Sequence, residues 1–432
     1  MVFEASLNGL KSKALTIVLS LVACVVLTYA ALTNVVANIL TDQRASVSKE
    51  LLAAGIVYAP NSALLNARLA EAEMAEEDRD ISSIESHVKR AVNISPWDYR
   101  QRLLLATVKE AAGDREAAKE SLQEAVALAP NYTEVHWRLA NLLLREGRLA
   151  KSVDEFRFAA SSNESLLPGT LDLLGRVSGG NITVLRAVTP ADPKSQLLLA
   201  QFLLKQSQFP EAITIFSGID RNSLNDFPES TAFIDALISK GRLEEARGLW
   251  VGLTSGAYAQ PGRPLPNIWN GGFESDISKN LPQFDWKLTR NEYAVPSIDS
   301  SVARSGGRSL RIDFTGRDTT RLDGQVTQTL VLRPGLHYRL QCYARTERLD
   351  SPEGPRVVVI DLTSATEIAS SDPIASGSRE WHSITLDFTP DFTPTPATRA
   401  VVVKIKRVPK FAYDNPTRGT IWLDDFALDE VK

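Results

Sequence analysis

Few residues of this 432-residue chain have the types and spacing that catalysis requires. The chain has two cysteines, Cys24 and Cys342, and four histidines that stand singly, His87, His136, His337 and His382. This set excludes a disulfide framework and the usual zinc sites. The sequence also has no Gly-x-Ser-x-Gly or His-Glu-x-x-His motif, which mark nucleophilic and zinc-dependent hydrolases. We therefore predict that the protein is not an enzyme and that Cys342 is a small core residue.

One run of polar residues could instead bind a ligand. Four polar side chains alternate with apolar ones and so predict one face of a β-strand: Arg339, Gln341, Tyr343 and Arg345. Such side chains can hydrogen-bond sugar hydroxyls or pair with acidic sugars, and the aromatic ring can stack on a pyranose. Lys404 and Lys406 extend this face if their strand is adjacent. The favoured alternative is an ordinary solvent-exposed face, since antiparallel sheets commonly turn one side to water.

The strand pattern that positions these residues extends over residues 262–432. After the proline-rich segment 260–266 the helical period disappears, and short alternating runs separated by Gly, Pro and Asp replace it. The clearest runs are 309–314, 336–343, 383–388 and 401–406. Together they predict an all-β sandwich of antiparallel strands, with one side of each strand in the core.

Residues 45–260 repeat with a period of 34. Ala91, Ala125 and Ala159 are spaced by 34 residues, and so are Pro96 and Pro130. Small residues at this period let two antiparallel helices approach closely, and the proline ends the second helix. These positions resemble the tetratricopeptide repeat, which implies an all-α solenoid of five or six helical hairpins and a groove that holds a protein partner. The tryptophans of this region are expected in core or inter-repeat packing: Trp97, Trp137 and Trp250.

An apolar segment precedes the repeats. Residues 14–41 carry no charge over 28 positions, and about 20 residues are enough to cross a bilayer core. Lys11 and Lys13 flank this segment, so residues 1–13 are expected in the cytoplasm and the bulk of the chain outside it, on a bacterial inner membrane facing the periplasm. Two alternatives stay open: a cleaved signal peptide, and lipidation at Cys24 in a lipobox-like sequence. We favour an uncleaved single-pass anchor, because the apolar run is longer than that of a signal peptide.

Landmarks in the β-rich half occur in a specific order. They are Asn270-Gly-Gly-Phe-Glu274, Phe284-Asp-Trp286, Arg333-Pro-Gly-Leu-His-Tyr338, Trp381 and Ile421-Trp-Leu-Asp-Asp-Phe426. In this order they resemble the jelly-roll carbohydrate-binding modules of families 4, 9 and 22. The resemblance implies a jelly roll over 262–432 with Trp286, Trp381 and Trp422 in its core. It also implies a structural calcium ion held by Glu274 and by Asp424 or Asp425; the alternative is a solvated acidic pair.

An anchor, repeats and a sandwich account for the whole length and leave no separate catalytic domain. The net charge of -4 argues against nucleic acid as a partner. We expect a membrane-anchored extracytoplasmic scaffold whose repeats bind a protein and whose sandwich contacts envelope polysaccharide or another subunit, in the assembly or export of cell-surface polysaccharide. The alternatives are a carbohydrate-binding receptor with the repeats as a stalk, and an enzyme whose site lies between the domains.

Overall fold

The computed structural model describes residues 10–41, 47–254, 268–317, 320–392, 398–411 and 414–431. The proline-rich segment 260–266 therefore lies outside the described residues. The chain divides into two compact units, Met1–Pro190 and Ala191–Lys432. The first contains the apolar segment and the nine described α-helices that follow it, and the second contains the remaining described helices and all the described β-strands.

The apolar segment forms one long helix, α1 (Leu10–Leu40). Of the helices that the structure describes, α1 alone is long and apolar enough to cross a bilayer, a property that a signal sequence shares. Its side chains are exposed from Lys13 to Leu32, and burial begins at Thr33. Ala37 and Leu40 pack against the two helices that follow, so the end of α1 belongs to the first helical cluster.

Antiparallel hairpins fill the rest of the first unit. Small residues lie where paired helices touch: Ala106, Ala118 and Ala140 are almost fully buried. A 3-10 turn, Glu164–Leu166, precedes α9. The helices are α2 (Lys49–Tyr58), α3 (Ala63–Met74), α4 (Ile81–Ile94), α5 (Tyr99–Ala111), α6 (Arg115–Leu128), α7 (Thr133–Arg145), α8 (Leu149–Ser162), α9 (Leu167–Ser178) and α10 (Ile182–Val188).

Recurring glycines end the first helix of the hairpins. Gly113 and Gly147, which are 34 residues apart, have φ of 81° and 74° in the turns that follow α5 and α7. A left-handed backbone costs other residues about 1–2 kcal/mol, so glycine is favoured at both turns. After the first turn Asp114 caps α6, because its carboxylate accepts a hydrogen bond from the Ala117 N–H at 3.2 Å.

The second unit begins with the helices α11 (Pro193–Lys205), α12 (Phe209–Ser217), α13 (Arg221–Asp226), α14 (Pro228–Ser239) and α15 (Leu243–Thr254). The last of these packs on the start of the β-region through Trp250. The Trp250 indole N–H donates to the Leu281 carbonyl at 2.9 Å, and its ring lies edge-on to Trp269 and Phe284, with centroids 5.0 and 5.8 Å away. Helices and β-region therefore share an apolar contact within this unit.

Two antiparallel five-stranded sheets form the β-region, in the orders β1-β4-β9-β6-β7 and β2-β3-β10-β5-β8. The strands are β1 (Lys287–Leu288), β2 (Ala294–Asp299), β3 (Ser309–Thr315), β4 (Leu322–Leu332), β5 (Tyr338–Asp350), β6 (Arg356–Asp361), β7 (Glu367–Ser370), β8 (Gly377–Phe388), β9 (Arg399–Arg407) and β10 (Arg418–Glu430). Side chains from both sheets form one core, which includes Leu310, Ile312, Val401 and Val403 from the alternating runs. The predicted fold class is confirmed: an N-terminal apolar helix, an all-α repeat region and an all-β region of two sheets.

Candidate functional site

The polar face that the sequence predicts lies on β5. Arg339, Gln341, Tyr343 and Arg345 are exposed or half-buried, and the residues between them are buried in the core. Strand β5 runs between β10 and β8, where Tyr343 lies opposite Asp424 on one side and Ser383 on the other. The structure therefore brings the four polar residues together on the outer face of one sheet.

Lys404 and Lys406 do not extend this face. Their strand, β9, belongs to the other sheet. Lys404 Nζ lies 2.5 Å from Asp323 Oδ1, and Lys406 Nζ lies 3.1 Å from Glu367 Oε2. The reason is that alternation shows which residues share a side of one strand, but not which strands become neighbours.

The arginines of the β5 face are already paired. Arg339 makes a two-point contact with Asp387 on β8, with Nε 2.7 Å from Oδ1 and Nη2 3.0 Å from Oδ2. Hydrogen bonding to Arg339 lowers the pKa of Asp387. Arg345 Nε lies 3.6 Å from Glu380 Oε2. A ligand that used either arginine would have to compete with a carboxylate of the protein.

The aromatic ring of the β5 face is covered by a cation. The guanidinium carbon of Arg304 lies 3.3 Å from the centroid of the Tyr343 ring. Arg304 is held there by Asp425, since its Nη1 lies 2.6 Å from Asp425 Oδ2. A pyranose that stacked on this side of Tyr343 would have to displace Arg304.

Trp422 lies on the outer face of the same sheet. It is only 4% exposed, yet it is outside the core cluster that both of its chain neighbours join. Its indole N–H donates to Asp299 Oδ2 at 2.8 Å, and Arg311 and Arg345 each lie 5.7 Å from its ring centroid. Trp422 is therefore buried as predicted, but on the outer face of its sheet and outside the central cluster. Strand alternation places its neighbours inside, and charged side chains bury the tryptophan outside.

The three predicted calcium ligands converge on one loop, residues 304–308. Glu274 Oε1 accepts a backbone N–H of this loop at 2.9 Å, and Asp424 Oδ2 accepts another at 2.8 Å. Asp425 Oδ1 accepts a hydrogen bond from a serine hydroxyl of the same loop at 2.6 Å. Gly272 lies among them, because a Cβ there would be 3.6 to 3.9 Å from atoms of all three acidic side chains.

Protein donors already occupy most of the oxygens that a calcium ion would need. Five of the six carboxyl oxygens of Glu274, Asp424 and Asp425 accept hydrogen bonds within the protein. Burial raises the pKa of Asp424, although backbone N–H donors act against this rise. Within the described ranges, no group of three or more His, Cys, Asp or Glu side chains is arranged to hold a metal ion. Calcium at this position stays a prediction.

An aromatic cleft that the sequence does not predict opens in the first unit. It has a volume of about 750 Å³, lies at the turn between α4 and α5, and is lined by Trp97, Tyr99 and Tyr132. Trp97 is 84% exposed and Tyr132 is 55% exposed. The rings of Tyr99 and Tyr132 lie side by side, with centroids 4.8 Å apart. The expected packing role of Trp97 is wrong, because the residue follows Pro96 in a turn and not on a helix face.

Three of the other tryptophans and Cys342 pack as predicted. Trp137 lies edge-on to Phe156 with the centroids 5.1 Å apart, and Trp250 is buried. Trp286 is in the sandwich core. The predicted core position of Trp381 is wrong, because this residue is only half-buried on β8, at the edge of its sheet, and is absent from the core cluster. Cys342 is buried in the same core, where burial raises the pKa of its thiol and so disfavours the nucleophilic thiolate.

A second cleft, of about 770 Å³, lies in the second unit between α13, α14 and residues 275–281. Its buried carboxyl group, Asp285, accepts backbone N–H bonds from Ser278 and Trp286, each at 2.8 Å. Burial raises the pKa of Asp285. Among the described lining residues there is no histidine or cysteine to pair with this carboxyl group as a base or nucleophile.

Comparison with known proteins finds a repeat family over one segment of the first unit. Residues 109–156, from the end of α5 into α8, match the family model of the tetratricopeptide repeat. No curated protein matches the chain. Solved structures with some likeness include one of MamA, with 14% identity, a TM-score of 0.30, and coverage of 37% of this chain and 90% of that one. Another is TTC0263, a thermophilic tetratricopeptide repeat protein of Thermus thermophilus, with 26% identity, a TM-score of 0.26, and coverage of 31% and 70%.

Proposed function

We propose that the chain is a non-catalytic scaffold that α1 holds to a membrane, and that its repeats bind a protein partner outside the cytoplasm. The exposed pair of Trp97 and Tyr132 carries this proposal. Large aromatic side chains supply much of the binding energy at protein interfaces, because each removes a large apolar area from water on contact. The match of residues 109–156 to a repeat family supports a binding role for the same helical region.

We infer that the sandwich serves the assembly or export of cell-surface polysaccharide by contacting another subunit of that machinery. The paired arginines and the covered Tyr343 ring support a protein contact over direct capture of a sugar. The alternative is a carbohydrate-binding receptor. It would use the same β5 face after Arg304 had moved away from Tyr343.

The protein-binding role is tested by crosslinking in the native membrane. The full chain carries a photo-crosslinker at residue 100, beside Trp97, in wild type and in the variant Trp97→Ala, Tyr132→Ala. We expect one specific adduct with the wild-type chain and at least a tenfold loss in the double variant, since hot-spot truncations cost about 2 kcal/mol or more. Phe411→Ala, which removes an exposed aromatic ring of the sandwich, is the matched control. Equal adducts in all three chains would contradict the proposal.

The receptor alternative is tested by glycan retention on the purified full chain. The scaffold proposal predicts no selective retention by wild type or by Arg304→Ala. Retention by wild type that increases in Arg304→Ala and disappears in Tyr343→Ala would replace the scaffold with a receptor.

Orientation is tested with reporters fused after the last residue. We expect alkaline phosphatase to be active there, because the lysines before α1 favour a cytoplasmic N-terminus. A reporter that is active only in the cytoplasm would overturn the extracytoplasmic placement.

A further inference from the structure

The exposed part of α1 has the length of one bilayer core. All 20 side chains from Lys13 to Leu32 are exposed, and 20 helical residues span about 30 Å. From Thr33 onward one side of the helix is buried against the repeats, while Asn34 and Asn38 expose polar groups. These features place the end of a membrane span near Thr33 and leave the last two turns of α1 outside the hydrocarbon.

Helices α2 and α3 form a hairpin that runs back along this end of α1. A Cβ at Gly55 of α2 would overlap Leu40 Cδ1, so the two helices approach closely there. Closer to the N-terminus of α1, the Tyr29 hydroxyl donates a hydrogen bond to the carbonyl of Tyr58, the last residue of α2, at 3.3 Å. Tyr29 lies about one helical turn before Thr33. The end of α2 is therefore held at the level where the span ends.

The part of the hairpin at this level is apolar, and its charges are at the other end. We call residues 54–65, the end of α2 with the turn and the start of α3, the hairpin tip. Val57 and Tyr58 of the tip are 76% and 65% exposed, and Leu64 of the tip is also exposed. No charged residue occurs over the 17 positions 51–67. The opposite end carries the ion pair between Lys49 and Glu76, with 2.7 Å between its charged atoms.

The geometry points to a lipid contact: the hairpin tip lies in the headgroup region of the membrane beside α1. This inference rests on the proposed anchoring by α1. A tyrosine with one wet and one apolar end is favoured at this depth, and Tyr29 and Tyr58 meet there. Val57 and Leu64 gain from leaving water, since exposed apolar side chains at an interface enter the boundary between headgroups and acyl chains. The α2–α3 hairpin is thereby held against the bilayer at two places, α1 and the tip.

The test uses the full chain in phosphatidylcholine–phosphatidylglycerol vesicles, with Cys24→Ser to remove the exposed native thiol. Single cysteines at Val57, Leu51, Val22 and Trp97 carry an environment-sensitive fluorophore. Quenching is measured with lipids that bear a nitroxide near the headgroup or near the chain ends. Val22 reports the middle of the span, and Trp97 is the exposed control on the repeats.

We expect the label at Val57 to be quenched most by the headgroup-proximal nitroxide, at least about threefold more than the label at Trp97. Leu51 lies about 9 Å before Val57 along α2 and should be quenched less. The label at Val22 should be quenched most by the deep nitroxide.

The outcomes distinguish a failure of the lipid contact at the tip from a failure of the membrane anchoring by α1. Deep quenching at Val22, with quenching at Val57 no stronger than at Trp97, would overturn the lipid contact and leave the anchor in place. No quenching at Val22 would overturn the anchor and the lipid contact together. A label at Val57 that neither nitroxide nor aqueous iodide quenches would show that protein, such as a second copy of the chain, covers the tip instead.

Discussion

The side chains around Asp299, Trp422 among them, determine the pKa of its carboxyl group. Burial by itself would raise the pKa of Asp299, but hydrogen bonds from Ser301 and Trp422 and the charge of Arg311 together lower it to about 2. The carboxylate is therefore more stable in the folded chain than in the unfolded one. This contribution to stability is complete above the unfolded pKa of about 4 and disappears as the pH falls toward 2.

Replacing this carboxylate tests whether it stabilises the folded chain at neutral pH and not at low pH. Asp299→Asn should lower the free energy of unfolding by about 1–2 kcal/mol at pH 7 and have a much smaller effect near pH 2, where about half of the folded wild-type chains carry a protonated Asp299. Urea unfolding of the detergent-solubilised chain, followed by tryptophan fluorescence, measures the difference. Asp387→Asn removes an exposed pairing partner and should change stability less. An equal loss for Asp299→Asn at both pH values would contradict the pKa.

The carboxylate cluster gives a prediction about metal. Arg304 competes with any cation for Asp425, because its Nη1 lies 2.6 Å from Asp425 Oδ2. If calcium binds here, it should raise the melting temperature of Arg304→Ala more than that of wild type, and chelator should reverse the rise. Scanning calorimetry with calcium and with EDTA measures both. If the melting curve of each protein, wild type and Arg304→Ala, were the same with calcium as with EDTA, the predicted calcium site would be excluded.

At the scale of the helix, two glycines occupy different backbone conformations. One lies in a turn that requires a positive φ, and the other lies inside a helix, where only helix propensity matters. Gly147 has a φ of 74° in the turn after α7, whereas Gly248 lies within α15 with no positive φ. Both have open space where a Cβ would lie, so a methyl group meets no neighbour at either position. Any effect of alanine therefore comes from the backbone.

Alanine at these two positions should act in opposite directions. Gly147→Ala should destabilise its hairpin by about 1 kcal/mol, because a left-handed conformation is unfavourable for alanine. Gly248→Ala should stabilise by up to about 1 kcal/mol, because alanine is the better helix former. Thermal unfolding by circular dichroism gives both changes. A shift of the same sign in both variants would contradict this explanation.

At the scale of the whole molecule, the last helices and the β-region belong to one compact unit. Trp250 on α15 contacts Leu281, Trp269 and Phe284 at the start of the β-region. The Thr231 hydroxyl on α14 adds a hydrogen bond to the Asn280 carbonyl at 2.8 Å. These contacts should make α14, α15 and the sheets unfold together.

Removing the central contact tests this coupling. Trp250→Ala should cost about 3–5 kcal/mol, because it deletes a large buried side chain, and it should raise amide exchange in the β-region as well as in α14 and α15. Hydrogen exchange with mass spectrometry resolves these segments. Trp137→Ala, in the first unit, should leave exchange in the strands unchanged. Faster exchange in the helices alone would show that they open independently of the sheets.

The sequence alone determined the order of the three regions: an apolar helix, helical repeats and a β-region. The 34-residue period predicted the helical hairpins, because turn glycines and small contact residues recur wherever the same local packing recurs. Alternation predicted four of the ten described strands, β3, β5, β8 and β9, and placed the four polar residues of β5 on one face. These are local rules of backbone and burial, so residues near one another in the chain are enough to apply them.

Only the tertiary structure decided which of those residues are available to a ligand. Arg304 reaches Tyr343, Asp387 reaches Arg339, and Asp299 reaches Trp422 from positions 39, 48 and 123 residues away in the chain. Lys404 lies in the opposite sheet, and Trp97 lies in water although the repeat suggested packing. The physical reason is that pairing of charges and covering of rings depend on which strands and turns become neighbours, and no local pattern specifies this.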